Sequence, residues 1–137
     1  MITACPRGTS SEPRHRILFV DDEPHMLSAL RRLLIPQRER WAMTFVEGGL
    51  SALEVLERDA FDVLLSDMRM PGMDGAALLF EVQKRYPRIY RMVLSGYAEA
   101  AATTRVMQVA HRFLNKPCDP SDLIAAIEQG CNSSDTR

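Results

Sequence analysis

The sequence predicts an α/β domain built on a doubly wound, five-stranded parallel sheet. Three observations carry this expectation. Short apolar runs rich in β-branched and aromatic residues recur five times along the chain. Each is followed by a stretch whose apolar residues return at three- and four-residue intervals, the period of a helix with one buried face. Proline, glycine and acidic residues punctuate the joints between them. Strict β-α alternation of this kind implies parallel strands with helices on both faces of the sheet. Right-handed crossovers then bring every strand's C-terminal end to the same edge, where open sheets of this type bind their ligands.

The first run, "RILFVDD" (16–22), is too short for a helix and reads as a buried strand ending in two acids. Pro24 suits the first turn of a helix, and Met26, Leu27, Leu30, Leu33 and Leu34 form its apolar face until Pro36 closes it. "WAMTFVE" (41–47) is the second strand, turned by Gly48-Gly49, and "LSALEVLERD" (50–59) is the second helix, with Leu53 and Leu56 inward. "FDVLLSD" (61–67) is the third strand; "GAALLFEVQKRY" (75–86) is the third helix, stopped by Pro87. "IYRMVLS" (89–95) is the fourth strand, and "EAAATTRVMQVA" (99–110) is an alanine-rich fourth helix that Thr103 and Thr104 weaken. "RFLNK" (112–116) is a very short fifth strand. The fifth helix, "DPSDLIAAIEQG" (119–130), is the best marked: Asp119 caps it, Pro120 takes the first helical position, Asp122 suits the positive end of the dipole and Gly130 ends it.

At 137 residues, 46% of them hydrophobic and 26% charged, the chain has the makings of one globular domain with a full core. Residues 1–14 read as a flexible lead-in, 15–130 as the folded domain and 131–137 as a tail or linker stub. A net charge of −1 argues against non-specific binding to nucleic acid or to an anionic membrane surface. No apolar run reaches the roughly 18 residues of a membrane span, and the N-terminus lacks the apolar core of a signal peptide. Cys5, Cys118 and Cys131 are scattered, with neither a CxxC pair nor zinc spacing. A reducing, cytoplasmic location is the expectation.

The chemistry-bearing residues fall at the strand ends. The first strand delivers Asp21 and Asp22, the third Asp67, the fourth Ser95 and the fifth Lys116. Three carboxylates brought together repel, so either one is protonated or a cation lies among them. Oxygen donors without His or Cys select a hard ion, for which Mg²⁺ is the expectation. Lys116 and Ser95 supply an ammonium and a hydroxyl for phosphoryl oxygens. Asp67, alone at the end of the central strand, is the candidate nucleophile for a covalent aspartyl phosphate, with Asp21 and Asp22 holding the metal. The methionines of "MRMPGM" (Met68, Met70, Met73) read as packing residues, His25 as an exposed histidine and His111 as a turn residue. A redox role for Cys118 is not expected. The arginine run "RRLLIPQRER" reads as a solvated face.

Taken together, "FVDDEP", "LLSDMRMPGMDG", "MVLSGYAE" and "FLNKPCD" resemble the receiver domain of two-component response regulators over roughly residues 15 to 130. Four separated motifs stand in the family's order, each at a strand end. The resemblance implies a flavodoxin-like sheet of order 2-1-3-4-5. It implies that Asp67 is the phosphoacceptor, that Asp22 ligates the metal directly and Asp21 through water, and that the backbone carbonyl of Arg69 is a further ligand. Ser95 matches the switch hydroxyl, Phe113 the aromatic switch position and Lys116 the phosphate-binding lysine. The Lys116–Pro117 bond is usually cis in the family, which proline makes tolerable. Arg69 and Tyr97 fall on the two positions that tune the lifetime of the phosphate. The implied partners are a sensor histidine kinase or phosphotransfer protein, and a homodimer through the fourth helix, fifth strand and fifth helix; neither nucleic acid nor membrane is a direct partner. The wording of "RMVLSGYAE" and "HRFLNKPCD" is similar to receivers joined to HD-type output domains. On this reading the chain is no enzyme beyond phosphoryl transfer to and from its own aspartate. One alternative is a small phosphohydrolase of the haloacid-dehalogenase kind, which needs an acid two residues after the nucleophile where this chain has Arg69. The other is an inert receiver-like interaction module, which typically lacks an acid or the lysine that this chain keeps.

Overall fold

The computed structural model describes residues 14–96 and 106–135. Its elements run β1 (His15–Asp21), α1 (Pro24–Leu34), a 3₁₀ turn (Ile35–Gln37), β2 (Trp41–Glu47), α2 (Gly49–Arg58), β3 (Val63–Asp67), α3 (Gly75–Arg85), β4 (Tyr90–Ser95), β5 (Arg112–Asn115) and α4 (Pro120–Asp135). The five strands form one sheet in the order β2-β1-β3-β4-β5, and every pairing is parallel. The α/β class and the 2-1-3-4-5 order are therefore those expected. The fourth helix expected over 99–110 falls mostly outside the described residues; its last part is a helical turn in which the Val109 and Ala110 N–H groups donate to the Val106 carbonyl. Helix α4 corresponds to the fifth helix of the sequence reading.

Strand side chains alternate between two cores. Leu18 and Val20 of β1, Leu64 of β3 and Val93 of β4 meet Ala52, Leu53 and Leu56 of α2 and Leu78, Leu79 and Val82 of α3. Ile17 and Phe19 of β1, Val63 and Leu65 of β3 and Met92 and Leu94 of β4 meet Leu27 and Leu34 of α1 and Leu123, Ala126 and Ile127 of α4. Central strands buried on both faces read as unbroken apolar runs rather than alternating ones, as "ILFV" and "VLL" do. Each such side chain contributes about 1.5–3 kcal/mol by leaving water, so the sheet's centre is the rigid part of the molecule.

Two polar anchors close the edge opposite the strand C-termini. Arg91 is buried, its Nε donating to the Val109 carbonyl at 2.6 Å and its Nη1 to the carbonyls of Ile89 and Pro87 at 3.0 and 3.2 Å. His111 accepts the Arg91 backbone N–H on Nδ1 at 2.9 Å and stacks on Tyr90, so it ties the start of β5 to β4. Trp41, the only tryptophan in the chain, is buried at the start of β2. The Arg40 guanidinium covers its ring at 4.4 Å and reaches Glu128 of α4 at 2.6 Å.

The structure corrects two details. Met26 and Leu33, expected on the inner face of α1, are 42% and 38% exposed. Only Leu27, Leu34 and partly Leu30 reach the core, because a helix lying on a sheet buries a narrower stripe than the apolar run in this sequence supplies. Gly130, expected to end the last helix, lies inside it: α4 continues to Asp135, and Cys131, expected in the tail, is buried. The reason for the glycine is packing. A Cβ there would stand 2.7 Å from Cδ2 of Tyr90, so the helix lies directly against that ring.

Gly130→Ala therefore sets two effects against each other. Alanine gains about 1 kcal/mol of helix propensity over glycine, whereas overpacking against the Tyr90 ring costs about 1–3 kcal/mol. Net destabilisation is expected in thermal or urea unfolding; a stabilised variant would show that the glycine only interrupts the helix.

Candidate functional site

The parallel sheet delivers the expected residues to one edge. β1 ends at Asp21, β3 at Asp67 and β4 at Ser95, and Lys116 follows β5 directly. The central position of β3 between β1 and β4 puts Asp67 in the middle of the group. Asp67 and Asp21 are 6% and 4% exposed, and Ser95 is buried. One carboxylate oxygen from each of Asp21, Asp22 and Asp67 lies within 4.8 Å of the other two.

Each side chain is held by its neighbours. The Glu23 backbone N–H donates to Oδ1 of Asp21 at 3.0 Å as the chain turns from β1 into α1. Gly48 N–H donates to the Asp21 carbonyl at 3.1 Å, so the β2–α2 turn also carries this acid. The Ser66 hydroxyl donates to the Asp67 carbonyl at 2.8 Å. Met68 N–H donates to the Leu94 carbonyl at 2.9 Å, which locks the chain after the aspartate onto β4. Lys116 Nζ pairs with Oδ1 of Asp67, and its backbone N–H donates to the Ser95 carbonyl at 2.8 Å. The Ser95 hydroxyl donates to the Gly96 carbonyl at 3.2 Å. The Lys116–Pro117 peptide is cis.

The electrostatics follow from crowding. Burial is the largest influence on Asp21 and pushes its carboxyl up to about 6. The Glu23 N–H opposes this, Asp67 adds to it, Lys116 opposes it and Asp22 adds a little more. Three acids and one lysine leave an excess of negative charge in a pocket where Asp21 and Asp67 are buried and Asp22 is open to solvent. Oxygen donors only, three carboxylates within a cation's reach and a carboxyl driven toward protonation together fit a hard divalent cation better than any other group.

The remaining expected residues are less central. Arg69 is exposed in the loop after β3. Phe113 is partly buried against the α2/α3 core, and Tyr97 lies outside the described residues. Met68 and Met70 are buried and Met73 packs against the same core, which is the packing role expected of them. His25 is exposed. Burial and the carboxylates of Asp122 and Asp119 push the Cys118 thiol up, the direction opposite to that of a reactive thiolate. The sequence reading missed the supports: Glu23, the Gly48 N–H and the contact of Met73 with Gly49. Backbone donors leave no signature in side-chain chemistry, and the double glycine registered only as a turn.

A family model, the response regulator receiver domain, matches residues 17–128. The chain belongs to this family. It is 35% identical over 128 residues to the transcriptional regulatory protein GlrR of Escherichia coli (strain K12), a match covering 91% of this chain and 28% of that protein. The chain thus spans about a quarter of the length of the curated relatives it matches. Among solved structures, the signal receiver domain of an HD domain-containing protein from Pseudomonas fluorescens Pf-5 is 28% identical with a TM-score of 0.86, covering 91% of this chain and all (100%) of that one. The adenylate cyclase structure from Rhodopirellula baltica is 34% identical with a TM-score of 0.82, covering 90% and 92%. The receiver is thus a signalling module of a two-component response regulator, and the phosphohydrolase and inert-module alternatives are not favoured. No helix among the described residues is long and apolar enough to cross a membrane.

The raised Asp21 carboxyl gives a pH dependence with a definite sign. Between about pH 4 and about pH 6 the folded receiver binds a proton at Asp21 that the unfolded chain has released, so stability falls as pH rises through that window. The loss is on the order of 2 kcal/mol, since Asp22 leaves one side of the pocket open to water. Chelator-treated protein should lose melting temperature across this range, and Asp21→Asn should flatten the profile.

Proposed function

We propose that the receiver is phosphorylated on Asp67 by a sensor histidine kinase or phosphotransfer protein in a Mg²⁺-dependent reaction. The observation that carries this reading is the carboxylate of Asp67, paired with Lys116 and within a cation's reach of Asp21 and Asp22. An oxygen of Asp67 forms the new bond to phosphorus as the bond from phosphorus to the donor imidazole nitrogen breaks. The electron pair stays on that nitrogen, leaving a neutral histidine. Asp21, Asp22, Asp67 and the Arg69 backbone carbonyl would hold the ion, Asp21 through water. Mg²⁺ supplies charge neutralisation for the entering phosphoryl group. Lys116 then exchanges its partner, from the free carboxylate to a phosphoryl oxygen.

The phosphoryl group, itself carrying roughly −2 in place of the carboxylate's single charge, gives the switch its energy. The Ser95 hydroxyl, which now donates to the Gly96 carbonyl, turns to a phosphoryl oxygen instead. Phe113 responds in the space against the α2/α3 core where it is partly buried. The bistable element is the chain after β4 together with Phe113, and the output or homodimer face is formed by residues 99–110, β5 and α4. Arg69 and Tyr97, which fall on the family's two lifetime-tuning positions, slow hydrolysis of the phosphate and lengthen its life. The receiver acts in the cytoplasm, is no enzyme beyond chemistry on its own aspartate, and itself contacts no nucleic acid; GlrR's role as a transcriptional regulatory protein belongs to a chain several times longer.

Incubation with Mg²⁺ and acetyl phosphate or phosphoramidate should add the mass of one phosphoryl group per chain, and chelation should abolish the addition. Asp67→Asn should take up none. Lys116→Ala should slow uptake by about 10²-fold, the scale of a lost oxyanion donor, while the fold persists by circular dichroism. Uptake by Asp67→Asn equal to wild type would overturn the assignment. A phosphate half-life of seconds, unchanged by Arg69→Ala and Tyr97→Ala, would remove their role in lifetime.

A further inference from the structure

The turn between β2 and α2 touches the acid pocket from two sides. Gly48 N–H donates to the Asp21 carbonyl at 3.1 Å. The next residue, Gly49, has no side chain, and Met73 occupies the space: a Cβ on Gly49 would stand 2.9 Å from both Cγ and Sδ of Met73. Met73 belongs to the loop that begins directly after Asp67 and carries Arg69. One thioether therefore bridges the loop leaving Asp67 to the turn that holds Asp21.

The loop is also held at its ends. Gly75 N–H donates to the Met68 carbonyl at 2.8 Å, and Asp74 caps α3 by accepting from Ala77 N–H at 2.8 Å. Met68 and Met70 are buried in the core beneath. Sideways toward β1, the seat of Met73 at Gly49 is the brace. A methionine suits such a notch, since its unbranched, polarisable side chain fills irregular space.

We propose that Met73, seated against Gly49, is a positioning residue that holds the Asp67 loop at cation-binding distance from Asp21. The inference rests on the reading of the pocket as a Mg²⁺-dependent phosphoacceptor site. Asp21 and Asp67 end paired strands, whereas Asp22 and the Arg69 backbone carbonyl stand on the loops that follow, so their place around a cation depends on how those loops are held against one another. Mg²⁺ tolerates little departure from octahedral geometry, so its affinity reports that arrangement. A side chain at position 49 unseats Met73, and truncation of Met73 leaves the notch empty; either releases the loop.

The test is Mg²⁺ titration by isothermal calorimetry, with melting curves alongside, on wild type, Met73→Ala, Met73→Leu, Gly49→Ala and the Gly49→Ala/Met73→Ala double variant. Met73→Ala and Gly49→Ala should each weaken Mg²⁺ binding by about tenfold, the low end for loss of a support behind a metal ligand. Met73→Leu, which refills the notch, should bind close to wild type. The double variant should bind no worse than Met73→Ala alone, because the new methyl group and the missing side chain compete for one space. Variants that melt at lower temperature yet bind Mg²⁺ as wild type does would reduce the contact to plain packing and overturn the proposal. So would a double variant weakened by the product of the two single effects. Wild type that binds Mg²⁺ but takes up no phosphoryl group would sink the phosphoacceptor reading and leave the coupling to be judged on the titrations.

Discussion

Crowding of negative charge at the end of the central strand is the constraint on which the rest of this molecule depends. Asp67, Asp21 and Asp22 lie within a cation's reach of one another, and such a cluster is unstable by itself. Lys116 offsets part of it by pairing with Asp67, and the Glu23 N–H offsets another part. What remains is a standing demand for positive charge. The fold's task is to keep that demand from being relieved by the strands moving apart, and a double-sided apolar core does so. Ile17, Leu18 and Phe19 of β1 and Val63, Leu64 and Leu65 of β3 are almost wholly removed from water. The acids are thus mounted on the least deformable part of the sheet.

The same arrangement separates chemistry from response. The acids come from β1 and β3, whereas Ser95 and Lys116 come from β4 and the end of β5, on the flank of the sheet next to the edge. β5 is short and, among the described residues, has a neighbour on one side only. A new charge on Asp67 would pull on this flank more easily than on the β1 side, which β2 extends by a full seven-residue pairing. The asymmetry of the strand order is therefore a physical reason for a signal to leave the pocket in one direction.

Much of this was legible in the sequence because it is written in local chemistry. β2 covers the residues its composition marks, Pro24 begins α1 and Asp119 caps the last helix by accepting from the Ser121 N–H. The gathering of Asp21, Asp67, Ser95 and Lys116 follows from parallel strands and needs no knowledge of side-chain packing. What was not legible depends on partners distant in the chain. Gly130 looks like a helix terminator until Tyr90 is placed against it. Met26 and Leu33 have the spacing of core residues, but they fall outside the narrow stripe of α1 that meets the sheet and stay exposed. The seat of Met73 at Gly49 joins two loops that no periodicity connects.

Trp41 lies at the start of β2, on the edge of the sheet opposite the acids, stacked under Arg40 and tied through it to α4. Being the only indole in the chain, it is a built-in optical reporter whose surroundings differ wholly from those of the ion pocket. Its emission follows the closing of α4 over the sheet and the cooperative loss of the core, and is nearly blind to whatever enters between the carboxylates. Folding and ligation in this receiver are consequently separable by spectroscopy on the unlabelled protein.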